Sequence, residues 1–212
     1  MNERYDETSR RKLLQAGALG AGAVFTSGAL SAGNAAATGT GETGGASATA
    51  ASSKEAGRID TEHPRFTLAI VPDTQYQFDQ DRGDPAPLTA TFNWLIDNRT
   101  DENIVFMAHL GDVTENALAM EFAQADPVFK ILDRARFPYS VLAGNHDIDG
   151  SKDDTRGPSP YLDTFSPRRF RWMPTYGGST ANGYNSYHVF RAGGRQWLLL
   201  AMDWRPSDAS FA

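Results

Sequence analysis

Three short polar clusters carry most of the chemistry this chain can do: Asp73-Thr74-Gln75, Gly111-Asp112-Val113-Thr114-Glu115-Asn116, and Gly144-Asn145-His146-Asp147. They bring together carboxylates, amide carbonyls and an imidazole. The chain has no cysteine, so disulfides, thiolate metal sites and cysteine nucleophiles are excluded, and any metal must be held by oxygen and imidazole ligands. Taken singly, each cluster has an ordinary reading. Asp73 suits a turn or a helix cap, Asp112 a Gly-Asp turn, and Asn145 a left-handed turn position. Their joint placement makes them a candidate site, because each directly follows a short apolar run of β character.

Those runs are Phe66–Val71, closed by Pro72, then Ile104–Ala108, and Tyr139–Leu142. Between the first two, Pro87 opens a stretch to Arg99 with Leu88, Phe92, Leu95 and Ile96 at helical spacing. Between the second and third, Asp126-Pro127 reads as an N-cap and first-turn proline of a helix through about Ala135, with Val128, Ile131 and Leu132 on one face. Strand, helix, strand, helix, strand predicts βαβ units and a largely parallel sheet. In such a sheet the carboxyl ends of the strands share one edge, so the three clusters converge although they lie far apart in the chain. Beyond Asp147, Gly, Pro, Ser and charged residues predict a long surface loop to about Ser166. Tyr184–Phe190 and Gln196–Met202 then read as an antiparallel hairpin.

In order and placement the clusters resemble the first three motifs of the calcineurin-like metallophosphoesterases, written Asp-x-His, Gly-Asp-x-x-Asp/Glu and Gly-Asn-His-Asp/Glu. The resemblance covers roughly Phe66 to Asp203. It implies a layered α/β sandwich with mixed, largely parallel sheets, and a centre of two divalent or trivalent ions (Fe, Mn or Zn) that hydrolyses phosphate mono- or diesters. By this resemblance Asp73 and Gln75 occupy positions at the first metal, Asp112 bridges both, Asn145 binds the second, and His146 lies beside the phosphate. Physical chemistry agrees with those types. A carboxylate can bridge two cations about 3.5–4 Å apart, and a bound water whose pKa falls toward about 7 supplies hydroxide to attack phosphorus. An imidazole can protonate the departing oxygen.

Two departures stand out. Gln75 occupies a position where most members have histidine, and it offers only a neutral carbonyl oxygen. The family's later histidine ligands have no counterpart, since no histidine follows His188, which leads us to expect a C-terminally incomplete fragment. Among the other histidines, the strand alternation around His109 predicts a packed or supporting residue, while His63 and His188 read as structural or surface residues. Asp147, Asp149, Asp153 and Asp154 read as a solvated acidic loop, since their spacing does not match an EF-hand. Trp172, Tyr176, Tyr184 and Trp204 are candidates for a substrate mouth or, equally, for packing.

At the scale of the whole chain, 212 residues with 12 Phe, 7 Tyr and 4 Trp can bury one sizeable core. A formal charge of −6 argues against nucleic acid as a partner, but does not exclude a small phosphate ester, since bound metal ions would supply positive charge that the residue tally misses. Ser9-Arg10-Arg11-Lys12-Leu13-Leu14 followed by an uncharged Ala/Gly-rich run resembles a twin-arginine signal peptide, with a small-residue cleavage site at Ala35-Ala36-Ala37. The organisation expected is a signal over 1–37, a flexible Ala/Gly/Ser/Thr tether over 38–57, and a catalytic domain over 58–212. The location implied is extracellular or in the cell envelope, with no stable membrane span after cleavage. The competing function is an exported binding or surface protein on the same scaffold whose metal site has decayed, Gln75 being its first sign.

Overall fold

The computed structural model describes residues 57–148 and 156–206. The expected signal peptide, almost all of the tether, and Asp149, Asp153 and Asp154 lie outside the described residues.

Strands β1 (Thr67–Val71), β2 (Ile104–His109) and β3 (Tyr139–Val141) form a parallel sheet in that order. Helix α1 (Ala86–Asp97) links the first pair and α2 (Ala119–Arg134) the second. All six residues of β2 are buried, which explains its unbroken apolar run in sequence, since a central parallel strand is covered on both faces. Strand β1, whose apolar run alone would suit a buried strand, is an edge strand. Its burial alternates, and Leu68 and Ile70 remain 39% and 51% exposed.

The α1 face is as expected: Leu88, Phe92, Leu95 and Ile96 are all buried. Helix α2 is longer than its proline signal suggested and begins eight residues earlier, at Ala119 rather than Pro127. The start is set by Glu121, whose carboxylate accepts the N–H of the cap residue Leu118 (3.1 Å), a donor that a helix start leaves without a partner, and also that of Asn116 (2.9 Å) in the loop before it. Pro127 therefore sits inside the helix. Asp126, expected as its cap, is occupied by Lys130 (2.5 Å) and Arg169 (2.7 Å).

The stretch expected as loop to Ser166 ends in a short helix, α3 (Pro160–Phe165), and a second, α4 (Pro167–Phe170), follows it. Ser159 caps α3 by accepting Leu162 N–H, and Tyr161 and Phe165 are buried against α2, with Phe129 and Phe165 rings 4.8 Å apart. A second sheet, antiparallel and ordered β4–β5–β6, contains Tyr176–Ser179, Ser186–Ala192 and Arg195–Ala201. The expected hairpin is β5–β6. Its two-residue turn is Gly193-Gly194 at φ 59° and 72°, both in the left-handed region where glycine carries no steric cost. Strand β4 was not foreseen.

The two sheets meet where Phe106 of β2 stacks on Phe190 of β5, centroids 5.2 Å apart and 11° from parallel. On the helix side Met107, Tyr139 and Val141 join α1, α2 and α3 in one large apolar cluster. The result is a layered, mixed α/β architecture of helices, parallel sheet and antiparallel sheet. Among the described residues, no helix is long and apolar enough to cross a membrane.

Candidate functional site

The three clusters do follow β1, β2 and β3, and backbone contacts splice them together. Thr74 N–H donates to the Asp112 carbonyl (3.0 Å), tying the first loop to the second. The second and third loops lie so close that a Cβ on Gly111 would meet Gly144 N at 2.7 Å, and one on Gly144 would overlap the backbone and carboxylate of Asp112. Gly111 (φ 87°) and Asp112 (φ 48°) are both left-handed, an uncommon state for a residue with a side chain and one held here by surrounding contacts. One of those contacts is Asp112 Oδ1, which accepts His146 N–H at 2.9 Å.

Asp73 is exposed, and its Oδ1 accepts Gln75 N–H (2.8 Å), closing a tight turn from which Gln75 enters a single 3₁₀ turn, Gln75–Gln77. Gln75 is buried and Asn145 partly so. The sequence reading therefore names groups that the fold gathers: the Asp73 and Asp112 carboxylates both act electrostatically on His146, and Asn145 is its chain neighbour.

His146 is fixed through its other nitrogen. Its Nδ1 lies 2.7 Å from the Glu115 carbonyl, which can only accept, so Nδ1 carries the proton and Nε2 is the ring nitrogen left for chemistry. That carbonyl is the main reason His146 is more basic than usual; partial burial opposes it, and the Asp112, Glu115 and Asp73 carboxylates add to it. Glu115 Oε2 stands 3.6 Å from the same nitrogen, buried and without a hydrogen-bond partner among the described residues.

Two residues reinforce the splice from behind. Asp147, expected in a solvated acidic loop, is instead fully buried. Its Oδ1 accepts Thr114 N–H (2.9 Å) and Thr114 Oγ1–H (3.2 Å), and its Oδ2 accepts Gly144 N–H (3.0 Å). Burial pushes its pKa up to about 6, while those donors pull the other way. His109 is packed, as its strand position indicated. Nδ1 accepts Gly111 N–H (3.2 Å), which leaves Nε2–H to donate to Thr74 Oγ1 (3.0 Å), so one ring braces the first two loops. Burial lowers its pKa to about 3, and it is neutral.

Sequence reasoning missed a further clamp. Buried Asp203 pairs with buried Arg156 (3.0 and 3.2 Å), while Trp204 N–H donates to the Ala143 carbonyl (3.0 Å) immediately before the third cluster. No motif announces such a pair. The aromatic candidates divide: Tyr184 stacks on Tyr161 (5.7 Å), Tyr176 packs on His188 (5.7 Å), and Trp204, 39% exposed, remains near the third loop. His63 is exposed and hydrogen-bonds locally to Arg65, while His188 is fully buried.

Fold and site together define a layered α/β protein with an oxygen-rich, histidine-bearing centre on the carboxyl edge of its parallel sheet. A family model described as calcineurin-like phosphoesterase matches residues 66–209, and the chain belongs to that family. It is 32% identical over 149 residues to the uncharacterized protein YvnB of Bacillus subtilis (strain 168), a match covering 69% of this chain and 11% of that protein. The chain thus spans about a tenth of the length of the curated relative it matches. The family is diverse and typically uses a dimetal centre.

The donors present suit part of such a centre. Asp73 and Asp112 offer carboxylates, Gln75 and Asn145 offer carbonyl oxygens, and the glycine cradle leaves Asp112 room that any Cβ would fill. No group of three or more His, Asp or Glu side chains arranged to hold a metal occurs among the described residues.

Proposed function

We propose that this chain carries the centre of an exported, metal-dependent hydrolase acting on small phosphate mono- or diesters. The observation that supports this reading best is the splice of three loops around Asp112 and His146, with His146 Nδ1 held by the Glu115 carbonyl. In this reading Asp73, Gln75, Asp112 and Asn145 would hold the two ions, Fe, Mn or Zn, with Asp112 the residue that would be shared. When bound, they supply positive charge to the phosphoryl oxygens and lower the pKa of a bound water. The chain's own contribution is orientation and a proton. The raised basicity of His146 favours the ring protonated on both nitrogens. As the P–O bond breaks, such an imidazolium would give its Nε2 proton to the departing oxygen and become the neutral Nδ1–H imidazole, while the Glu115 carbonyl keeps the ring from turning. The acidity of the chain disfavours nucleic acid as substrate.

Elemental analysis of the purified protein, with assays on nitrophenyl phosphate and bis(nitrophenyl) phosphate, tests this directly. Asp112→Asn is expected to lose metal and activity together, and a variant retaining two ions per chain would sink the bridging role. A second reading, an exported binding protein without turnover, is favoured by Gln75 at a position where a stronger ligand is usual. Bound metal with no hydrolysis of either ester selects it. Export rests on Arg10-Arg11, and replacing both by lysine is expected to leave the precursor in the cytoplasm.

A further inference from the structure

At the opposite end of the parallel sheet from these loops lies a second cleft, of about 460 Å³, a volume ordinary for a small-molecule site. It is built where β2 begins (Val105), where the chain enters β3 (Pro138), and along β5 (Phe190), with Trp172 on another wall. One β2 strand length, roughly 15–20 Å, separates it from the carboxyl edge.

Its polar residues have one sign. Three arginines line it, Arg99, Arg136 and Arg191, and no acid does. Arg191 is already neutralised by Glu62 (2.5 and 2.9 Å). The other two are not. Arg99 is partly buried with its guanidinium over the Phe137 ring (4.9 Å), and its Nε–H reaches only the Ile104 carbonyl (3.4 Å). Burial alone lowers its pKa, with no carboxylate acting against the loss of solvent. Arg136 is exposed, held in a left-handed turn (φ 52°), and has no ion pair among the described residues. Thr175 adds a buried hydroxyl on the same lining that has no hydrogen-bond partner among the described residues. A desolvated cation without a counter-ion is costly, and an anion that supplies one removes that cost.

We propose that this cleft binds a small organic anion, its apolar body between Trp172 and Phe190 and its carboxylate or phosphate-type head on Arg136 and Arg99. Planar guanidiniums suit either head by paired N–H donation. The role is separate from hydrolysis, since nothing in the cleft reaches the carboxyl-edge loops, and it stands whether or not the chain turns over esters.

The test titrates the full chain with 1-naphthoate, 1-naphthylphosphonate (which has no ester bond to cleave) and neutral 1-naphthamide. The readout is the indole N–H resonance of Trp172, assigned by Trp172→Phe. Both acids are expected to move that resonance and saturate, the tighter one identifying the head, with 1-naphthamide at least tenfold weaker. Arg136→Glu is expected to weaken both acids at least tenfold, and Arg136→Asn, which tolerates the left-handed turn, by an intermediate factor. As an exposed position it leaves the fold intact. Equal affinity for amide and acids, a response confined to other tryptophans, or acid affinities within twofold of wild type in Arg136→Glu each overturn the proposal.

Discussion

His146 illustrates how one side chain is prepared by its neighbours. Its backbone N–H is given to Asp112 and its Nδ1–H to the Glu115 carbonyl, so both the position and the tautomer of the ring are set before any ligand arrives. If the imidazolium form donates its Nε2 proton, leaving the Nδ1–H tautomer, His146→Ala should lower kcat about 10²–10⁴-fold, the usual range for one acid–base group. Metal content should stay near wild type by elemental analysis. The loss should be smaller for nitrophenyl esters than for alkyl esters, whose leaving oxygens need the proton more. An equal loss on both would leave the ring a purely electrostatic role, and loss of metal would make it a ligand. Neighbouring Asp147 differs in kind: its three accepted hydrogen bonds serve the loops, and its consecutive place in an acidic run hid that in the sequence.

At the scale of elements, the site was legible because strand ends are legible. Short apolar runs closed by Pro72, Gly111 and Gly144 marked where three loops must begin, and a parallel sheet puts such ends on one edge. What was not legible depended on tertiary partners. The early start of α2 comes from Glu121 reaching back to Asn116 and Leu118, which outweighs the Asp126-Pro127 signal. Strand β4 is a Gly-containing segment given its conformation by β5, and Arg156–Asp203 joins residues 47 apart. The glycines at the splice carry a consequence of their own. Because a Cβ at Gly144 would overlap Asp112, Gly144→Ala should destabilise the fold by about 1–3 kcal/mol, the range of an overpacked interior. The urea midpoint should fall, with activity lost even where the protein remains folded. An unchanged midpoint would mean that the two loops are not packed as described.

For the whole molecule, the contact between the two sheets contains a titratable residue with nothing to bond. His188 of β5 is fully buried against Phe106 (5.0 Å), Tyr176 (5.7 Å) and Phe170 (6.1 Å), and neither ring nitrogen has a hydrogen-bond partner among the described residues. Burial alone lowers its pKa from an ordinary 6.5 to about 4, and no charged group contributes. The folded chain therefore binds fewer protons than the unfolded chain between these values, so stability is fully present above about pH 6.5 and falls as the pH drops toward 4. The loss attributable to this residue is at most about 3 kcal/mol. His109, neutral to about pH 3, adds a slope of the same sign, while buried Asp147, its pKa raised to about 6, opposes both by taking up a proton in the folded chain. His188→Phe fits an aromatic-lined place and removes two unsatisfied nitrogens, so it should raise stability at pH 7. It should also flatten, without abolishing, the fall in urea midpoint between pH 7 and pH 4. A variant whose midpoints parallel those of the wild-type chain across that range would show that His188 is not the buried neutral residue that joins the two sheets.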